Sequence, residues 1–76
     1  MIREHDRIVL LKDVPGEGLK TGDVGTVVHI YRDGEAFEVE FMTLDGGTVA
    51  VVTLPASSLR SVSNRDITHV RELSAA

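Results

Sequence analysis

The residues with the clearest chemical potential are one histidine and two glutamates in the middle of the chain, His29, Glu38 and Glu40. Asp-Gly at positions 33–34 favours a tight hairpin turn, because a type I′ turn needs positive φ at both central positions. Pairing symmetric about this turn sets His29 opposite Glu38 and leaves Glu40 on the same face. An imidazole beside two carboxylates could hold a metal ion or transfer a proton.

The same three residues have a simpler interpretation, a cross-strand polar pair on a solvated sheet face. A metal site would need a further donor, for which His5 and His69 are the other histidines in the chain. The spacing matches no defined metal motif. We therefore favour the structural interpretation and expect no metal ion and no cofactor.

Nucleophilic catalysis has little support in the sequence. The chain contains no cysteine. Ser57 and Ser58 lie in a predicted turn without the G-x-S-x-G pattern of a nucleophile elbow, and Gly16-x-Gly18 precedes no predicted helix, so it is not a phosphate loop. A chain this short can form only a small β-barrel or similar fold, whose interior is filled by side chains and holds no substrate cavity. We expect no enzymatic activity and no catalytic residue.

The charge of the chain argues against one class of binding partner. Eight Lys and Arg stand against twelve Asp and Glu, a formal net charge of −4. The acidic excess lies in the middle of the chain, at Asp33, Glu35, Glu38, Glu40 and Asp45. Nucleic-acid binding draws most of its affinity from Lys and Arg against phosphates, and the sequence has no basic cluster. A nucleic-acid partner is therefore disfavoured.

Strand and turn signals alternate along the sequence. β-Branched residues and turn residues predict strands over 7–11, 24–31, 36–41, 48–54 and 59–62. Residues 13–18, with one proline and two glycines, predict a long exposed loop, and residues 55–59 predict a single helical turn. Apolar and acidic residues alternate over 36–41, which indicates one buried and one solvated face.

The hairpin register can be stated residue by residue. Beyond the His29 pair, we expect Val28 to lie opposite Val39, and Thr26 opposite Phe41, on the buried face. Val27 then belongs to the other face, with Tyr31. A bulge near Gly25 would let Val27 turn inward as well.

Together these elements predict an all-β protein, a small five-stranded antiparallel barrel over residues 1–63 with a C-terminal tail over 64–76. Asn64 and Asp66 could cap a short helix in this tail, with Ile67, Val70 and Leu73 on one face; a tail without a helix is the alternative. No apolar run approaches the length of a membrane span. With no cysteine to form disulfides, we expect a cytoplasmic protein.

A surplus of apolar side chains predicts self-association. Residues 8–11 and 49–52 are continuously apolar, whereas a barrel strand buries only alternate residues. The outward-facing residues of these two segments would form an apolar patch larger than monomeric proteins usually expose. A second copy of the chain, or the tail itself, could cover this patch. We expect a homo-oligomer, most simply a dimer, with these candidate interface residues: Val9, Leu11, Val27, Tyr31, Val49, Val51, Ile67, Val70 and Leu73.

The run Gly22-Asp23-Val24-Gly25-Thr26-Val27-Val28 resembles the strand-turn signature of small SH3-like barrels, including KOW-type modules. The wider pattern over residues 2–62 resembles a bacterial family described only as a domain of unknown function. The resemblance implies an SH3-like barrel and a place in mobile gene neighbourhoods, in some cases beside toxin-like genes. It brings no functional residues with it. The chain lacks the basic surface of nucleic-acid-binding KOW modules.

Three classes of function follow from these observations. The first is a non-enzymatic protein-interaction module that associates with itself. The second is an antitoxin-like or immunity-like partner, whose acidic middle meets a basic toxin-like protein. The third is a nucleic-acid-associated barrel of the KOW type.

Overall fold

Five strands form one antiparallel sheet in the computed structural model, which describes residues 1–73. In chain order they are β1 (Arg7–Leu10), β2 (Val24–Tyr31), β3 (Ala36–Met42), β4 (Thr48–Pro55) and β5 (Leu59–Ser61). Their order in the sheet is β4-β3-β2-β1-β5. The predicted five-stranded all-β fold is confirmed, with every strand end within one residue of its prediction. Within the described residues the barrel-like sheet is not closed, because β4 and β5 form its two edges.

Short 3-10 turns lie in three of the four connections between strands, at Pro15–Glu17, Arg32–Gly34 and Ala56–Ser58. The last of these confirms the predicted helical turn between β4 and β5. The Leu11 N–H, just after β1, donates to the Ser58 carbonyl, just before β5, with an N···O distance of 2.7 Å. No helix in residues 1–73 is long and apolar enough to cross a membrane.

The interior is filled from one face of the sheet. Along β3 the side chains of Phe37, Val39 and Phe41 are buried, while Glu38 and Glu40 between them lie on the opposite face, as the alternation predicts. Ile8 and Leu10 of β1 are completely buried, so Val9 and Leu11 are the outward residues of that segment. One cluster contains all ten buried apolar residues: Ile8, Leu10, Leu19, Val27, Phe37, Val39, Phe41, Ala50, Leu54 and Leu59.

The β2–β3 hairpin follows the predicted register only as far as His29. Asp33 and Gly34 have positive φ, as predicted, and Arg32 joins them in this region. His29 pairs with Glu38, but the next pair is Val27 with Val39, so that Val28 is an extra residue in β2. Because of this bulge, the β2 side chains before Val28 lie on the face opposite to the one predicted for them.

The bulge corrects the predictions for Thr26, Val27 and Val28. Thr26 pairs with Glu40 rather than Phe41, and Val28, predicted to lie inward opposite Val39, is 39% exposed. Val27 takes the inward place and is completely buried, so it is not available to an interface. The bulge that turns Val27 inward was expected near Gly25 and lies at Val28 instead.

The loop after β1 is exposed, as predicted, since only Val14 within residues 13–18 is partly buried. It folds back through hydrogen bonds between Val14 and Leu19, and the side chain of Leu19, just after the predicted loop, is buried in the core.

Residues 64–73 contain no helix, so the alternative of a tail without a helix holds for these residues. Asp66, the expected helix cap, instead accepts hydrogen bonds from Arg60 and from the Ser63 N–H, and a helix this short has little stability of its own. The last three residues of the predicted 64–76 tail lie outside the described residues.

Gly25 lies where the backbone of β2 passes closest to the core. A Cβ at this position would be 2.5 Å from Val39 Cγ1 and 3.1 Å from the Glu40 backbone oxygen. We predict that Gly25→Ala lowers the free energy of unfolding by about 1–3 kcal/mol, because the strand and the core must shift to accept the methyl group. Urea denaturation measures this loss.

Gly16→Ala is the matched control. An added Cβ there meets no atom within 4 Å, so the free energy of unfolding should change by less than about 1 kcal/mol. Equal losses in the two variants would contradict the close approach at Gly25.

Candidate protein-binding surfaces

The polar face of the sheet holds His29 and the two central glutamates. Glu38 Oε1 accepts a 2.7 Å hydrogen bond from the Tyr31 hydroxyl, and this bond raises the pKa of Tyr31. His29 Nδ1 lies 4.0 Å from Glu4 Oε2, and the His29 and Tyr31 rings meet edge to face. Glu40 Oε2 accepts a 2.7 Å hydrogen bond from the Thr48 hydroxyl.

These contacts fit the cross-strand interpretation of the polar face. The two carboxylates each accept from a different hydroxyl, rather than converging with the imidazole on one point. Residues 1–73 contain no group of three metal-ligating side chains placed to share one ion. The predicted pairing of His29 with Glu38 is confirmed.

The outer edge of β4 is a second candidate surface. β4 pairs with β3 along one side, and no other strand in the described residues pairs with its second side. Its eight residues, Thr48–Pro55, include no charged side chain, and Val51 is 48% exposed. Edge strands are commonly protected from pairing with another chain by charged side chains, proline or β-bulges. In β4 these protections are limited to Pro55 at its last position and a bulge near its start.

A groove lies near the start of β4, between the loop at residues 43–47 and the tail segment, which we define as residues 66–73. We call it the tail groove; its volume is about 750 Å³. Its apolar lining comes from the sheet, the loop and the tail: Leu19, Val24, Phe41, Met42, Leu44, Val49, Val70 and Leu73.

The loop at residues 43–47 holds one wall of the tail groove in place. The Thr43 N–H donates to the Gly47 carbonyl at 2.8 Å, and the Gly46 N–H donates to the Thr43 carbonyl at 3.0 Å. The Asp45 carboxylate accepts from the Thr43 hydroxyl and from the Gly47 N–H, and these bonds lower its pKa. Leu44, between these fixed residues, is 97% exposed at the rim of the groove.

Ionic hydrogen bonds hold the opposite wall, the tail segment, against the sheet. Arg71 Nε and Nη2 donate to the two Asp23 carboxylate oxygens at 2.8 and 2.7 Å, and Nη2 also donates to the Gly18 carbonyl at 3.0 Å. Burial raises the pKa of Asp23, but the hydrogen bonds from Arg71 and from the Lys20 N–H lower it by more. Arg60 makes a second two-point contact with Asp66, which holds the pKa of Asp66 well below its usual range.

Residues 4–61 match a family described as "Domain of unknown function (DUF4926)", a match that covers more than half of the chain. The chain belongs to the DUF4926 family. This confirms the expected relation to a family described only as a domain of unknown function. No curated protein and no solved structure matches the chain.

The DUF4926 match covers all five strands and the loop at residues 43–47, and it ends before the tail segment. The sheet edge at β4 therefore lies within the family domain. The tail groove combines a wall of that domain with a wall from residues beyond it.

The structure distributes the predicted interface residues over several places. Val49, Val70 and Leu73 come together in the tail groove, and Val51 lies on the β4 edge. Val9 and Tyr31 are partly buried, while Leu11 and Ile67 are exposed and do not line the groove. Sequence reasoning missed Met42 and Leu44, since single apolar residues near a turn give no periodic signal.

We predict that Arg71→Ala releases the tail segment while leaving the sheet folded, because it removes three of the hydrogen bonds that hold this segment. The backbone heteronuclear NOE should fall over residues 67–73, because the released segment moves on the picosecond-to-nanosecond timescale. Arg65→Ala is the matched control, because the Arg65 side chain makes no ion pair within residues 1–73. Unchanged NOE values in Arg71→Ala would contradict a holding role for Arg71.

Acid should release the same segment in the unmutated chain. The pKa of Asp23 is lower in the folded chain than in the unfolded chain. The stabilisation that ionised Asp23 gives to the folded contact is therefore fully present above the unfolded pKa, about 3.9. It is lost as the pH falls through the folded value. The backbone heteronuclear NOE over residues 67–73 should therefore be constant near neutral pH and fall below about pH 4. A fall in the NOE as the pH rises instead would contradict this linkage.

Proposed function

We propose that the chain is a non-enzymatic protein-interaction module of the cytoplasm that associates with itself through the β4 edge. The observation that carries the proposal is the uncharged eight-residue strand whose second side has no partner in the described residues. The backbone N–H and C=O groups along such an edge can continue the sheet into another chain. The lack of cysteine is compatible with a reducing compartment.

Two copies of the chain related by a two-fold axis could pair along this edge. The same strand from two copies can pair antiparallel with itself, which gives a closed dimer and leaves no further β4 edge exposed. Val51, 48% exposed in the single chain, would then lie against the other copy. Its burial and the new backbone hydrogen bonds both favour the pair.

The acidic residues of β3 do not oppose such a dimer strongly. Glu40 pairs with Val51, so it lies one strand in from the edge. Two copies of Glu40 would be separated by three strand spacings, about 14 Å. This exceeds the Debye length at physiological salt, about 8 Å, so their repulsion is largely screened.

We predict that sedimentation equilibrium at micromolar concentration gives twice the chain mass of 8.2 kDa. Val51→Lys should shift the equilibrium to the monomer, because an edge lysine opposes strand pairing. Truncation after Asn64 should leave the dimer intact, since it spares β4.

Val28→Lys is the matched control, because Val28 is 39% exposed on a strand that is paired on both sides. It should sediment like the unmutated chain. An unmutated chain that sediments as an 8.2 kDa monomer would refute the proposal. A dimer that persists in Val51→Lys would show that the dimer interface lies elsewhere than at β4.

A further inference from the structure

We infer that the tail groove binds an apolar, basic segment of a different protein. This goes beyond the proposed self-association, because the groove is a separate surface from the β4 edge. The inference rests on two properties of the groove, its exposed apolar walls and its uncompensated negative charge.

The first property is apolar surface left open around one cavity. Leu19 and Phe41 at the base are nearly buried, at 3% exposure each. The walls, in contrast, contain five large apolar side chains that stay exposed: Val24, Met42, Leu44, Val70 and Leu73. Grouped apolar exposure of this kind marks a binding surface, whereas single exposed apolar residues are ordinary. The segment that binds there therefore carries apolar side chains.

The second property is the charge at the rim. Three carboxylates line the groove, those of Asp23, Asp45 and Glu72, against the single guanidinium of Arg71. Arg71 and Asp23 form an ion pair with each other. Asp45 and Glu72 form no ion pair within residues 1–73, and the Asp45 carboxylate accepts hydrogen bonds only from uncharged groups. Two negative charges at an apolar groove complement Lys or Arg beside apolar side chains.

The same charges argue against other occupants. A second copy of the chain would bring its own net charge of −4 and the same acidic rim. Nucleic acids and anionic membranes present phosphates, which two carboxylates repel. A basic segment of another protein is the occupant that satisfies both the apolar walls and the rim.

Three peptides of matched length test the inference by NMR titration of the isotope-labelled chain. The first, Gly-Lys-Leu-Lys-Leu-Lys-Gly, combines both required properties. The second, Gly-Glu-Leu-Glu-Leu-Glu-Gly, reverses the charge. The third, Gly-Lys-Ser-Lys-Ser-Lys-Gly, keeps the charge and removes the apolar side chains. Only the first should cause saturable shifts, and these should lie at the amides of residues 43–47 and 69–72.

Substitutions at the groove separate the two contributions. Leu44→Ser should weaken binding of the first peptide about tenfold, because it removes an apolar side chain from the wall without disturbing the core. Asp45→Asn with Glu72→Gln should weaken it about threefold and remove most of its salt dependence. Val62→Ser, at an exposed valine that does not line the groove, should leave binding unchanged.

Several results would overturn the inference. These are binding of the acidic or the serine peptide as tight as that of the first, no saturable shift at the groove, or full binding to Leu44→Ser. Shifts at residues 43–47 and 69–72 that follow chain concentration without peptide would show a second copy in the groove, which also overturns it. Repeating the titration on Val51→Lys should give the same affinity, so this result does not depend on whether the chain dimerises.

Discussion

The extra residue at Val28 decides which side of β2 faces the core. Positions 27, 29 and 31 would share one face of a regular strand, so a strand without the bulge would expose Val27 beside His29. With Val28 inserted, Val27 points inward and is completely buried, while His29 and Tyr31 remain on the outer face. The core and the polar face both depend on this single shift of register. Gly25 completes the arrangement, because a Cβ at this position would be too close to Val39 and Phe41 unless the strand or the core shifted.

The small size of the chain explains why so much apolar surface remains outside this core. A domain of 76 residues has room for one thin interior, and here ten apolar residues fill it. The sheet ends at β4 on one side and at β5 on the other, so the interior is not surrounded by a continuous ring. The β4 edge and the tail groove both arise where this sheet stops. Apolar surface that a larger domain would bury is therefore left exposed to solvent.

Local patterns in the sequence predict the strands, the turn at Asp33-Gly34 and the pairing of His29 with Glu38. These features depend on neighbours a few positions apart, such as the alternation from Phe37 to Phe41. The position of the bulge depends instead on how β2 packs across two other strands, which no local pattern records. The tail segment is also a long-range feature, since Arg71 binds Asp23 from 48 positions away along the chain. The tail groove was missed for this reason, although Val49, Val70 and Leu73 were each expected on a surface.

A second irregularity connects the two candidate surfaces. Phe41 pairs with Ala50 and Met42 pairs with Thr48, so Val49 is an extra residue in β4. In a regular strand Val49 and Val51 would share the outer face, but Val49 is partly buried against the core and lines the tail groove. The bulge thus separates two residues that the sequence places together, giving one to the groove and leaving the other on the edge. Because they lie on different surfaces, the proposed pairing at the β4 edge would leave the groove open to the proposed basic segment.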